Sequence, residues 1–147
     1  MFSKKDSIKV RLVRTNKELE QVYQIREIVF INEQKVPKHL EKDEFDATAK
    51  HVIVLHKSKT IGCARVRFIG TKGKIERIAI LKEFRSKGAG KKIVNYLISY
   101  CKRKKAKEII VGAQYRIKDF YAKFGFKEKG KTFQDAGIKH IKMVLKT

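Results

Sequence analysis

Between residues 75 and 101 the hydrophobic period of the chain changes once. Ile75-Glu76-Arg77-Ile78-Ala79-Ile80-Leu81 is a short β-rich run, whereas Ile93, Val94, Leu97, Ile98 and Cys101 recur at the three- and four-residue intervals of one helical face. Arg85-Ser86-Lys87-Gly88-Ala89-Gly90 lies between them. A strand, a basic glycine turn and an amphipathic helix in that order commit the chain to an α/β architecture, because the helix must bury its apolar stripe on a sheet. The turn also has a chemistry. The first N–H groups of a helix lack intrahelical acceptors, the peptide dipoles add positive charge there, and glycines let an anion approach the backbone.

Alternation elsewhere supplies the sheet. Ile8, Val10 and Leu12 predict a first strand. Thr15, three residues before Glu18, has the spacing of a capping box, opening a helix that carries Leu19, Val22, Tyr23, Arg26, Val29 and Phe30 on one face to about Ile31. His51 to Leu55 and Ile61 to Phe68 read as strands joined by a hairpin at residues 57 to 59. Gly70 to Gly73 reads as the next turn, which sets Ile69 opposite Lys74 and Arg67 opposite Glu76 in a strand from Lys74 to Leu81. Ile109 to Ala113 is a further strand. Phe120 and Phe124 share a brief helix stopped by Gly125, and Ile141, Met143 and Leu145 alternate in a last strand. The expectation is one α/β domain over residues 1–147: a mixed, mostly antiparallel sheet of six or seven strands with about four helices.

Charge bounds the partners. Lys and Arg number 37 against 15 Asp and Glu, a net +22, and the excess is lopsided: residues 1–49 hold 10 basic and 9 acidic side chains, residues 50–147 hold 27 and 6. Such a field suits nucleic acid, an anionic surface or a phosphate-bearing ligand, while a general lysine habit explains it equally. With 42% apolar residues and nine Phe the chain is not disordered. No apolar run approaches the roughly 20 residues that cross a bilayer, and the opening MFSKKDSIKV lacks the apolar centre of a signal peptide. A cytoplasmic protein without a membrane partner is expected. Cys63 and Cys101 match neither a disulfide framework nor a zinc spacing and read as reduced core thiols; no ligand spacing supports a metal. Glu41, Asp43, Glu44 and Asp46, after the only proline, form the one acidic patch.

Two familiar phosphate motifs are absent. A P-loop needs G-x-x-x-x-G-K before Ser or Thr, and a dinucleotide fingerprint needs a glycine where Ile93 stands. Arg85-Ser86-Lys87-Gly88-Ala89-Gly90 after Arg77-Ile78-Ala79-Ile80, with Asp119-Phe120-Tyr121-Ala122-Lys123-Phe124-Gly125-Phe126 downstream, instead resembles the GNAT N-acetyltransferase superfamily. The likeness extends over almost the whole chain through Arg26 to Gln34, Glu41-x-Asp43-x-x-Asp46 with His51, Ala64-Arg65, Ala113-Gln114 and Gly137-Ile138-x-His140-Ile141-x-Met143, a set similar to the ElaA/YjcF-like branch.

The resemblance implies acetyl-CoA as co-substrate, held where two parallel strands splay near Ile80 and Ala113. Backbone groups of Ile78, Ala79 and Ile80 would take the pantetheine arm. Arg85, Ser86, Lys87, Gly88, Ala89, Gly90 and Lys91 would take the diphosphate, and Gln114 stands where many members carry Asn. Tyr121 would protonate the departing thiolate, and the Ile78 N–H would face the oxyanion. Glu76, read as sharing side-chain parity with Ile78 and Ile80, is a candidate base, although Arg67 opposite it makes an ion pair an equal explanation. Glu33, Gln34, Asp43, Asp46, His51, Arg65 and His140 would bind the acceptor or supply the base. The acidic patch would draw a cationic amine, or is a solvated loop. Cys63 sits in an alternating strand with no evident base, so direct transfer to a small-molecule amine or a protein amine, without an acetyl-enzyme, is expected from a monomer or homodimer. The rivals are a basic nucleic-acid-binding protein, for which no recognised motif is present, and a catalytically silent CoA-binding fold.

Overall fold

Thr15 is extended, and its hydroxyl accepts from the Glu18 N–H at 3.1 Å, opening α1 (Asn16–Arg26) in the computed structural model, which describes residues 7–147. Residues 1–6, and with them the signal-peptide reading of the opening segment, lie outside the described residues. The helix does not end near Ile31. It widens into a π-helix over Glu27–Glu33 that closes at Gln34. Two short turns of helix, α2 (Lys38–Glu41) and a 3-10 segment (Glu44–Ala47), replace the expected open acidic loop.

The strands are β1 (Ile8–Leu12), β2 (Lys50–His56), β3 (Lys59–Ile69), β4 (Lys72–Ile80), β5 (Glu108–Gln114), β6 (Lys127–Glu128), β7 (Phe133–Asp135) and β8 (Ile138–Lys146), with α3 (Ala89–Arg103) and α4 (Lys118–Ala122) between them. They form one sheet in the order β1-β2-β3-β4-β5-β8-β6, with β7 on β8; β4 and β5 are parallel and the other pairs antiparallel. The α/β reading holds. The count passes six or seven because β6 and β7, two and three residues long, both hang on β8.

One register differs from expectation. Arg65 stands opposite Glu76 and Arg67 opposite Lys74, so the β3–β4 loop is residues 70–71 and not 70–73. Gly70, at φ 58°, makes that turn. Gly73 is a strand residue whose missing side chain admits α3: a Cβ there would stand 2.7 Å from the Cys101 sulfur. The two helices therefore cover opposite faces, α3 on the Gly73 side and α1 on the Arg65 side. Between them Ile53, Ile61, Ile75, Ile93, Leu97 and Ile109 are fully buried. Burial pushes the Cys63 thiol up to about 12, which suits a core thiol. No helix of the described residues is long and apolar enough to cross a membrane.

Candidate active site

The site begins where a sheet fails to close. β4 and β5 pair only from Lys72 and Glu108 to Ile75 and Val111; beyond that pair they separate, while β5 stays joined to β8 as far as Gln114 and His140. A bulge sits at the fork. Arg65 opposes Glu76 and Cys63 opposes Ala79, so β4 carries one residue more than β3 in this interval, with Arg77 in the left-handed region at φ 56°. Opposed residues share a face, which puts Glu76 with Ala79 and not with Ile78 and Ile80. Glu76 therefore does not share the parity of Ile78 and Ile80 expected from the sequence: it lies on the α1 face with Arg65, and the bulge after it turns Ile78 and Ile80 to the other side.

On that face the carboxylates are already spent. Arg26, 1% exposed in the apolar stripe of α1, reaches Glu41 at 2.9 Å and Asp46 at 2.7 Å. Arg65, equally buried, donates to Asp43 at 2.6 Å, to Asp46 at 2.9 Å and to Glu76. Arg67 and Lys74 also hold Glu76, at 2.9 and 3.4 Å, and Arg77 reaches Glu41 and Asp43. Burial alone would raise these acids, but the guanidinium hydrogen bonds outweigh it and hold Glu76, Asp43 and Asp46 below the usual carboxylate range. Glu41, Asp43 and Asp46 of the acidic patch are thus engaged by arginines and are no open attractor for cations, while Glu44 stays exposed. His51 belongs to this layer: a carbonyl only accepts, so its Nε2–H donates to the Asp46 backbone oxygen at 2.8 Å, and its buried Nδ1 has no partner among the described residues.

A cleft of about 270 Å³ occupies the fork. Phe30, Gln34, Leu40, Ile78, Gln114, Tyr121, Phe133 and His140 are among its walls, and none of residues 81–103 lines it. Gln114 Nε2 donates to Gln34 Oε1 at 3.1 Å, which joins a residue expected on the cofactor side to one expected on the acceptor side. Tyr121, at 5% exposure, stands edge-on to Phe120 and Phe126, and burial pushes its phenol up to about 12. His140 Nδ1 lies 2.7 Å from the Ile138 carbonyl and must carry the proton, which leaves the Nε2 lone pair without a partner among the described residues. Phe133 stacks on that ring at 5.7 Å.

The opposite side of the fork carries the basic turn. Ser86 and Gly88 both take positive φ, 62° and 87°, and no side chain caps α3, so Ala89, Gly90 and Lys91 begin the helix with N–H groups outside the ladder. Arg85 does not point freely into the turn: it donates to the Ile80 carbonyl at 2.9 Å and forks onto Glu33 at 2.5 and 2.8 Å, so the expected acceptor residue Glu33 is tied to the cradle. The structure therefore brings Ile78, Gln34, Gln114, Tyr121 and His140 together, and withdraws Asp43, Asp46, Arg65 and His51 into the layer beneath. The expected Arg67–Glu76 ion pair forms, although Arg65 and not Arg67 stands opposite Glu76; Arg77 and Glu41 as members of the network, and Leu40, Ile117 and Phe133 as walls, were not foreseen. An arginine in the middle of an apolar helical series, Arg26, was the available signal for the network. Among the described residues no group of three His, Cys, Asp or Glu is arranged to hold a metal.

Comparisons with known proteins agree with this geometry. The chain is 35% identical to the uncharacterized N-acetyltransferase YjcF of Bacillus subtilis (strain 168) over 93% of this chain and 99% of the relative. Its fold matches Escherichia coli ElaA with a TM-score of 0.84 at 22% identity, covering 93% of this chain and 98% of that one. It also matches a GNAT family acetyltransferase from Elizabethkingia anophelis with acetyl-CoA bound, with a TM-score of 0.74 at 15% identity, over 97% and 99%. The profile of the acetyltransferase (GNAT) domain runs through residues 13–147, from the end of β1 to the last residue, and the chain belongs to that family.

Proposed function

We propose that the chain is a single-domain, cytoplasmic N-acetyltransferase that moves the acetyl group of acetyl-CoA directly onto a primary amine. The observation that carries this reading is the fork: an interior pair of parallel strands that stops pairing at Ile75 and Val111, with a phenol and an unencumbered imidazole nitrogen at its walls and an uncapped helix start behind it. The residues fit a phosphate-bearing pantetheine. Among the described residues the β4 backbone beyond Ile75 has no partner strand on its β5 side, and the turn at 85–91 offers amides and carries Lys87 and Lys91, while Lys92 donates to the Ile8 carbonyl at 3.1 Å.

Acetyl-CoA supplies the thioester. The amine nitrogen bonds to the carbonyl carbon and the carbon–sulfur bond breaks, yielding an amide and a thiol. The Ile78 N–H faces the charge that develops on the oxygen. His140 Nε2 takes a proton from nitrogen, and the Tyr121 phenol gives one to sulfur, so the proton count closes. A phenol near 12 is a weaker acid than a thiol near its reference value of about 8.5. The same burial raises the departing thiol as well, which narrows the gap. Glu76 is not assigned the base, because three cations already hold it ionised. Cys63, buried with its thiol pushed up, forms no acetyl-enzyme.

The test is thiol release from acetyl-CoA by the purified protein against a panel of amines, with calorimetric titration of acetyl-CoA and of an oligonucleotide beside it. Acetyl-CoA binding and amine-dependent thiol release are expected. Tight oligonucleotide binding that falls steeply with salt, together with no acetyl-CoA binding, would favour the nucleic-acid rival.

A further inference from the structure

The walls of the cleft carry information about the acceptor. Three large apolar side chains left exposed, Leu40 at 48%, Ile117 at 38% and Phe133 at 41%, come from separate elements and all line this one cleft. Exposed apolar residues scattered singly need no explanation; three converging on a concave site form a surface that a ligand's own apolar body would cover. Phe133 is held in place by its stack on His140, with the rings 25° from parallel, so an aromatic platform stands beside the candidate base.

The charged groups of the cleft limit what else the ligand can carry. Glu41 and Glu76 are each held by at least two cations, so neither is left to receive a second ammonium. Asp135 is exposed at the rim and suits one ammonium. Arg116 also lines the cleft, with no carboxylate in ion-pair contact among the described residues.

We infer that the acceptor, on the acetyltransferase reading above, is a primary amine borne on an aromatic or branched aliphatic body, with a carboxylate rather than a second ammonium. Asp135 draws in the ammonium, the body lies over Phe133, Leu40 and Ile117, and Arg116 receives the carboxylate.

Six amines test this with acetyl-CoA by thiol release: phenylalanine, leucine and phenethylamine against putrescine, spermidine and glucosamine. The first three are expected to exceed the last three in kcat/KM by at least about tenfold, the scale set by covering an apolar side chain. Phe133→Ala is expected to lower kcat/KM for phenylalanine about tenfold while the acetyl-CoA dissociation constant stays within about twofold, and Arg116→Glu to remove the advantage of phenylalanine over phenethylamine. A polyamine or amino sugar as the best acceptor, an equal loss for all amines in Phe133→Ala, or acetyl-CoA binding with transfer to none of the six would overturn the acceptor assignment alone. Failure to bind acetyl-CoA would overturn the transferase reading beneath it.

Discussion

Tyr121 and His140 occupy the cleft with opposite proton inventories, one donor and one acceptor, and each makes its own prediction. Tyr121→Phe removes only the hydroxyl; kcat is expected to fall by about 10²- to 10⁴-fold with acetyl-CoA affinity intact, measured by thiol release and calorimetry. Because burial raises the phenol to about 12, the proton stays in place across the ordinary range, and kcat should show no alkaline fall below about pH 10 in profiles of the wild-type enzyme. His140→Gln should lower kcat by a similar factor. Full activity in that variant would remove the imidazole from the mechanism. Beneath them, Arg26→Leu removes the buried cation that Glu41 and Asp46 share, leaving Arg77 and Arg65 to hold them, and should cost about 3 kcal/mol in urea unfolding. The same network sets an acid limit. Asp43, Asp46 and Glu76 have folded pKa values below their unfolded ones, so their stabilisation is complete above about pH 5 and is lost as pH falls through the folded values, which thermal melts from pH 7 to pH 2 would trace.

At the scale of elements, the strands and long helices were legible because their periods are strong. Ile8 to Leu12, α3 and β8 lie where alternation or helical spacing placed them, and the hairpin read at residues 57 to 59 turns at 57 and 58. What misled was a glycine with two available meanings. Gly73 resembles a turn residue in sequence, yet it serves close packing against Cys101, and the register slid by two in consequence. The bulge at Arg77 left no trace at all, since an arginine at positive φ is sustained by its surroundings and not by its own preference. The π-helix after Arg26 was equally silent, and it is this widening that carries Phe30 and Gln34 to the cleft. Tyr121 and Gln114, placed by motif and order, do line the cleft, and the basic turn does open α3; the fate of the acidic patch was not readable, because two of its three arginine partners come from strands distant in sequence. Gly62 offers an element-scale test. Its Cβ would stand 2.7 Å from the Ala79 carbonyl, so Gly62→Ala should destabilise by about 1–3 kcal/mol and weaken acetyl-CoA binding by disturbing the end of β4.

For the whole molecule the question is what a net +22 accomplishes. Of the acidic side chains in residues 7–49, Glu41, Asp43 and Asp46 are held in the arginine layer while Glu20, Glu27, Glu33 and Glu44 stay exposed, so the cationic excess of the surface comes from residues 50–147, with 27 basic against 6 acidic side chains. A polyanionic co-substrate approaching the turn at 85–91 would be drawn by that field, and the acetyl-CoA KM should rise severalfold between about 0.02 and about 0.5 M salt, with kcat nearly unchanged. An insensitive KM would leave the lysines as a compositional habit.

β7 is tethered to the sheet by three residue pairs and is followed by Ala136 and Gly137, both at positive φ. So small a flap can be rewritten by mutation without disturbing the helices or the buried ionic layer. Lineages sharing this scaffold would then diversify in what they modify while inheriting an unchanged donor half, and retargeting by design would start from residues 127–138.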